Sequence, residues 1–284
     1  MKIFEKQSNL IDYISKLKAE GKKIGFVPTM GALHQGHLSL IKQSNAFAEN
    51  MVTVSSIFVN PTQFNDKKDF EKYPITLDAD LEQLMHGNCA IVFLPTVEEI
   101  YPKGFENKEN VDLGFIGTTL DAAHRPGHFE GVIQVVKILL DIVGPDFLFL
   151  GQKDFQQCMV IKKLVEHFNF STEVIICPTK REESGLAMSS RNMRLTQNER
   201  AIAANLYKVM NAIKSDFSSL KPQEWKSKQL EKLQEIPEIT TEYLEIVNGA
   251  TLEPINDWHD AKSAVILIAA KIGQVRLIDN LIIY

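Results

Sequence analysis

The feature that most constrains this chain is an alternation. Short apolar, β-branched runs are separated by longer segments with helical periodicity. Residues 51–59 (MVTVSSIFV) are apolar or β-branched almost throughout, as a strand buried on both faces requires. Residues 23–28, 90–94, 147–150 and 173–177 read as further strands. Between them the spacing predicts helices over 8–20, with Ser8 as N-cap, and over 36–49, 77–86, 131–143 and 155–168. Strands alternating with helices of this length pair in parallel, with helices on both faces. Residues 1–180 are therefore expected to form a doubly wound, Rossmann-like α/β domain. A polar loop carrying Pro61, Asn65 and Pro74 and an irregular stretch at 98–120 interrupt it.

Beyond Asn192 the pattern changes. Helices are predicted at 196–216, with Thr196 as N-cap, and at 222–234, followed by strand-like runs at 240–247, 264–270 and 275–284. This is an α+β order, and it predicts a smaller C-terminal domain over 181–284 that acts as a lid. No internal repeat or low-complexity tract is visible.

With 284 residues, 44% of them hydrophobic, the chain is long enough for a substantial core. The 31 basic and 36 acidic residues leave a net charge of −5, which gives no electrostatic reason to seek nucleic acid or an anionic membrane. Cys89, Cys158 and Cys177 are widely spaced among apolar residues and read as core side chains, not as disulfide or zinc partners. The N-terminus lacks the apolar centre of a signal peptide, and no apolar run approaches the roughly 20 residues that span a bilayer. The expected location is cytoplasmic.

Five segments carry residues suited to chemistry, and three of them sit just past a predicted strand, where open α/β sheets bind ligands. The first is Pro28-Thr29-Met30-Gly31-Ala32-Leu33-His34-Gln35-Gly36-His37. Its glycines allow close backbone approach, and the start of the next helix offers free N–H groups to phosphate. His34 and His37, three apart, would share a helix face and could donate to phosphate oxygens. Alone, an HxxH pair reads first as a polar helix start, and as a metal site only weakly without further ligands. The second segment is Phe58-Val59-Asn60-Pro61-Thr62-Gln63-Phe64, whose amides suit a hydroxyl and a carboxylate but also an ordinary Asn-Pro turn. In the third, Gly151-Gln152-Lys153-Asp154-Phe155-Gln156-Gln157, Lys153 falls in a first helical turn. A cation gains nothing there from the dipole unless phosphate lies nearby. The fourth, Met188-Ser189-Ser190-Arg191-Asn192, offers two hydroxyls and a guanidinium. The fifth, residues 124–131 (HRPGHFEG), precedes a helix, and its Arg125 could meet an anion or simply be exposed.

HxGH directly after a strand resembles the signature of the nucleotidyltransferase-like superfamily, with SSRN standing where class I aminoacyl-tRNA synthetases carry KMSKS. The strings VPTMGALHQGH, SIFVNPTQF, HRPGHFEG, GQKDFQQ, AMSSRN and VRLIDN occur in one order over 27–280. Together they resemble the pantothenate synthetase (pantoate–beta-alanine ligase) family. The resemblance implies an enzyme that activates pantoate with ATP as pantoyl adenylate, releasing pyrophosphate, and then lets the amine of beta-alanine displace AMP. It implies that Met30, Gly31, Ala32, Leu33, His34, Gln35, Gly36 and His37 line the ATP site with Gly151, Gln152, Lys153 and Asp154. Lys180 would meet adenine through its backbone, and Met188, Ser189, Ser190 and Arg191 would close on the phosphates. His37, His34, Lys153 and Arg191 would be the catalytic donors, and Gln63, Gln157 and Asn60 would hold substrate. Magnesium is expected with ATP, with Asp80 or Gln83 as candidate protein ligands, and a homodimer is expected. The chain departs from the family pattern at Ile75, usually arginine, at Ala79, where some members carry an acid, and at Leu150, usually aromatic. A plain nucleotidyltransferase would share HxGH but leave the NPTQ amides unexplained. A tRNA-handling relative would be expected to carry a basic appended domain.

Overall fold

The computed structural model describes residues 1–64, 70–71, 73–105 and 110–284. Asn65, which was placed in the polar loop, lies outside the described residues. Six strands form one parallel sheet: β1 (Lys2–Phe4), β2 (Lys23–Thr29), β3 (Met51–Ile57), β4 (Ile91–Phe93), β5 (Phe147–Gly151) and β6 (Glu173–Cys177), in the order β1-β4-β3-β2-β5-β6. The helices of ten residues or more that accompany it are α1 (Gln7–Ala19), α2 (Gln35–Phe47), α3 (Leu77–His86), α4 (His128–Val143) and α5 (Phe155–His167). Phe26, Phe93 and Phe149 are fully buried at its centre. Each such ring contributes roughly 2–3 kcal/mol by leaving water. The expected Rossmann-like sheet is present.

From β2 the chain winds outward through β3 and β4, and it returns to the other side of β2 with β5 and β6. The order reverses between β2 and β5, and a crevice opens beyond their carboxyl ends. Two of the candidate segments, 28–37 and 150–157, begin at those two ends. Topology thus joins segments more than a hundred residues apart.

Two expectations at the N-terminus are corrected. β1 was not anticipated, because three mostly exposed residues carry no periodicity, yet Lys2 to Phe4 pair in register with Ile91 to Phe93. Ser8 does not cap α1; Lys6 occupies the cap position without a side-chain cap bond. The Glu99 carboxylate accepts from the Gln7 N–H at 2.9 Å and from Lys6 Nζ at 2.9 Å, so a group from elsewhere in the fold satisfies this helix start. α4 also begins three residues earlier than its apolar periodicity predicts, at His128.

The C-terminal part holds α6 (Gln197–Ser215), capped by Thr196 as expected, and α7 (Pro222–Gln234). Its antiparallel sheet is β7 (Ile239–Asn248), β8 (Ala264–Ile272) and β9 (Val275–Ile282). β8 is buried along nearly its whole length because both faces are covered. Val265 and Leu267 join the core that contains α4 and α5, whereas Ala264, Ile266, Ile268, Ala270 and Ile272 pack in the core with α6 and α7. The period of two along the strand separates these contacts by face. The smaller sheet is therefore a layer shared between the two parts. No helix among the described residues is long and apolar enough to cross a membrane.

Candidate active site

A cavity of about 230 Å³ occupies the crevice. Its wall includes Met30, His34, Gly36 and His37 from the β2–α2 turn, Asn60 and Gln63 beyond β3, and Gly151, Lys153, Asp154 and Gln157 beyond β5. Lys180, Met188, Ser189, Ser190 and Arg191 complete it from the C-terminal side. The two imidazoles, the Lys153 ammonium and the Arg191 guanidinium, predicted to act together, thus face one space.

The β2–α2 turn is built from below. Gly31 and Ala32 both have left-handed backbone, with φ of 80° and 49°. The Asp80 carboxylate accepts from Ala32 N at 2.9 Å, from Leu33 N at 2.7 Å and from Thr76 Oγ1 at 3.2 Å. Gln83 Nε2 donates to the Leu33 carbonyl at 3.3 Å. Neither Asp80 nor Gln83 is on the cavity wall. The expected role of Asp80 as a magnesium ligand is corrected, because Asp80 is 1% exposed and both its oxygens clamp the turn. Gly31, Ala32 and Leu33 are buried and Gln35 is exposed, so these residues shape the β2–α2 turn without lining the cavity.

His34 is the N-cap of α2 rather than a helical residue, so the two rings meet through capping and not through a shared helix face. His34 Nδ1 accepts from Gly36 N at 3.1 Å, and His37 Nδ1 accepts from His34 N at 3.3 Å. A Cβ on Gly36 would lie 2.7 Å from the His34 ring, which demands glycine there. With both Nδ1 atoms accepting, each neutral ring carries its proton on Nε2 and remains a donor. The ring centroids are 4.1 Å apart. Burial and then the Lys153 charge hold His34 down at about 4; burial and then His34 hold His37 at about 3. The imidazoles are therefore neutral at pH 7.

Lys153 precedes α5 in a 3₁₀ turn and sits 3.4 Å from Asp154. Burial pushes the Asp154 carboxyl up, but Lys153 and Arg191 outweigh it and hold it below the usual range. The turn is pinned by Asn280, whose Nδ2 donates to the carbonyls of Gln152 at 2.7 Å and Lys153 at 2.8 Å. Gln152 Nε2 returns a bond to Asn280 Oδ1 at 3.0 Å, so Gln152 faces β9 and not the cavity. The neighbouring Arg181 makes a two-point ion pair with Asp279, at 2.6 and 3.0 Å. The string VRLIDN was noticed in the sequence, but no role for its Asp-Asn pair was legible there.

Elsewhere on the wall, Gln63 Nε2 donates to Met30 Sδ at 2.9 Å and Gln63 Oε1 accepts from Asn60 Nδ2 at 3.2 Å. Asn60 is 1% exposed; it also donates to the Gly131 carbonyl at 3.1 Å and accepts from Tyr101 Oη at 2.8 Å. It lines the cavity but spends its amide positioning the turn. Of the adjacent glutamines, Gln156 is tied to Ile116, Thr119 and Asp121, and Gln157 alone faces the cavity. The HRPGH segment is a prop. Arg125 Nη1 can only donate to His128 Nε2, at 3.0 Å, so Nδ1–H of His128 donates to the Gln63 carbonyl at 2.8 Å. Burial and then the Arg125 charge hold His128 down at about 4.

Residues 180–188 form a narrow hairpin. Met188 N bonds the Lys180 carbonyl at 3.0 Å, Arg181 bridges Ala187, and Gly185 turns the chain with φ of 89°. The hairpin sets Lys180 beside the SSRN segment. Two polar wall residues escaped the sequence reading: Tyr73, whose hydroxyl bonds Ser190, and Thr179, whose buried Oγ1 has no hydrogen-bond partner among the described residues.

The family model described as pantoate-beta-alanine ligase matches residues 2–282. The chain belongs to the pantoate-beta-alanine ligase family. It is 48% identical over 273 residues to the pantothenate synthetase of Cytophaga hutchinsonii, covering 95% of each chain. It is 44% identical over 281 residues to that of Porphyromonas gingivalis, covering 99% of each. Its fold matches the crystal structure of pantothenate synthetase from Thermus thermophilus with a TM-score of 0.92, 37% identity and complete coverage of both chains. It matches the Francisella tularensis pantoate-beta-alanine ligase, complexed with beta-gamma ATP and beta-alanine, with a TM-score of 0.81 and 39% identity over 99% of this chain and 97% of that one. Among the departures from the pantoate-beta-alanine ligase pattern, Ile75 is 82% exposed and Leu150 is packed in the core, so neither alters the cavity's polar groups.

Proposed function

We propose that the chain condenses pantoate with beta-alanine at the expense of ATP, through pantoyl adenylate, with release of AMP and pyrophosphate. The observation that carries this reading is that one cavity brings two kinds of group together. His34, His37, Lys153, Ser189, Ser190 and Arg191 line it with cations and hydrogen-bond donors. Gln63 and Gln157 add carboxamides to the same wall, and Phe58, Val132 and Val135 add apolar surface. The first set suits a triphosphate. The second suits a small branched acid bearing hydroxyls, which carboxamides recognise without titrating.

A carboxylate resists attack by an amine because its leaving group is poor, and adenylation replaces that group with AMP. The acid's oxygen bonds to the α-phosphorus as the bond to the bridging oxygen breaks, and the electron pair leaves with pyrophosphate. Negative charge spreads over the transferring group, and donors fixed in advance stabilise it. The two Nε2–H groups, Lys153 and Arg191 supply such donors, and no nucleophilic Ser or Cys is needed. Beta-alanine's amine then attacks the acyl carbon and displaces AMP.

Magnesium fits this site as an ion carried by the nucleotide. Among the described residues no cluster of three His, Cys, Asp or Glu side chains could cage a metal, and Asp154 is the carboxylate on the wall. Magnesium commonly binds through phosphates, water and one or two carboxylates. When bound it would neutralise phosphate charge, with Asp154 as its protein-side ligand. The same resemblance supports a homodimer, which sedimentation would read as twice the mass of the 32.1 kDa chain.

The deciding experiment is ATP–pyrophosphate exchange with a panel of acids. Exchange should require pantoate and proceed without beta-alanine. Exchange driven by an amino acid and not by pantoate would overturn the substrate assignment.

A further inference from the structure

A second cavity, of about 410 Å³, adjoins the first. The two share Lys153, Asp154, Ser189 and Arg191 as a common wall. Beyond that wall the second cavity runs toward β8 and β9, where Lys271, Gln274 and Arg276 face it. Six cationic side chains line it (Arg125, Lys153, Arg191, Arg194, Lys271 and Arg276) against the carboxylates Asp154 and Asp279. Asp279 is already engaged by Arg181. Arg276 is bridged by Asp121 at 2.6 Å and Glu242 at 2.7 Å, and Lys271 lies 3.5 Å from the same Glu242. Arg125 meets the neutral ring of His128. Burial, with Arg191 next, draws the Arg125 guanidinium below its ordinary value. Gathering these cations around one chamber is costly, and a bound anion would offset the cost.

In an in-line displacement the leaving group departs on the side opposite the attacking oxygen. The attacking acid is assigned to Gln63 and Gln157, and the chamber adjoins the first cavity across the shared wall of Lys153, Asp154, Ser189 and Arg191. We propose that this chamber receives the departing pyrophosphate, as a site for a condensed inorganic phosphate separate from the position of ATP's own phosphates. The inference rests on the adenylating reading above. Moving the product there clears the first cavity for the amine and separates pyrophosphate from the acyl phosphate it would otherwise attack in reverse.

The test uses two exposed chamber residues that are apart from the catalytic groups, Lys271→Glu and Gln274→Glu. The second adds charge without breaking an ion pair. Inhibition by added pyrophosphate would be measured at saturating pantoate alongside the KM for ATP, and pyrophosphate binding to the nucleotide-free protein would be read by calorimetry. Each variant should weaken pyrophosphate inhibition and binding by about tenfold, the order expected of one reversed or added charge near a bound anion, with the ATP KM within about twofold. Pyrophosphate constants that stay unchanged would overturn the proposal. So would constants that rise in parallel with the ATP KM, which would place pyrophosphate in ATP's own seat. A raised KM for beta-alanine with unaltered pyrophosphate inhibition would reassign the chamber to the amine. Absence of pantoate-dependent ATP cleavage in the unmodified protein would instead overturn the adenylating reading itself, and the chamber's role with it.

Discussion

At the scale of single residues, the cavity wall holds two neutral imidazoles as donors beside Lys153 and Arg191. His34 and His37 use Nδ1 to satisfy backbone N–H groups and are left with Nε2–H to offer. His37→Ala should lower pantoate-dependent exchange by about 10²–10³-fold, the typical cost of one charge-stabilising donor. Its melting temperature should fall modestly, because the His34 N–H loses its Nδ1 acceptor, and an unaltered exchange rate would remove His37 from the chemistry. The depressed histidine values also predict pH behaviour. His34, His37 and His128 titrate near 4, 3 and 4 in the folded chain against 6.5 when unfolded, so the unfolded chain binds more protons between those limits. Their stabilising effect is present above pH 6.5 and is lost as pH falls toward 3. Urea midpoints that rose as pH fell over that interval would contradict it. A bound triphosphate reverses the electrostatics. Calorimetry of ATP binding in buffers of different ionisation enthalpy, run near pH 5.5, should therefore register proton uptake.

At the scale of elements, turns are held by groups that never touch the ligands. Asp80 in α3 fixes the β2–α2 turn through two backbone N–H groups. Asp80→Ala should destabilise the fold by ~3 kcal/mol, because buried donors are left unpaired. The magnesium dependence of any residual activity should match that of the unmodified protein. Gly131 shows the same principle at a helix start. A Cβ there would lie 2.4 Å from the Thr62 carbonyl oxygen, so α4 must carry glycine where the Pro61–Gln63 turn crosses it. Gly131→Ala should shift Gln63 and raise the pantoate KM by about tenfold, from overpacking worth ~1–3 kcal/mol. The ATP KM should change far less. Equal changes in both would show that the turn does not belong to the acid's site.

At the scale of the whole molecule, the C-terminal sheet does two jobs. Its β8 completes the core between the two parts, and the end of β9 holds the Lys153 turn through Asn280. Arg181 and Asp279 secure that contact in a largely buried ion pair. Breaking such a pair from one side costs about 3–5 kcal/mol, because the remaining charge stays buried. Asp279→Ala should therefore lower stability by that order and weaken ATP use, which differential scanning calorimetry and ATP saturation curves would read together. A stable variant with normal ATP affinity would show that β9 does not position the turn.

Periodicity alone revealed most of the fold. β3, β5 and β6 and helices α2, α3 and α5 lie where apolar spacing placed them, because hydrophobic burial is encoded locally along a strand or helix. The motif strings likewise marked turns that meet at the cavity. Spacing could not reveal relations between distant segments: β1 pairing with β4, Glu99 closing the start of α1, and Asp80 bonded to the β2–α2 turn. Nor could it tell Gln157 from Gln156, or separate Gln152 from the cavity wall. Those choices depend on which backbone groups the folded chain leaves unpaired and which side chain lies within hydrogen-bond reach. Sequence separation carries no information about that distance; only the packed tertiary structure decides it.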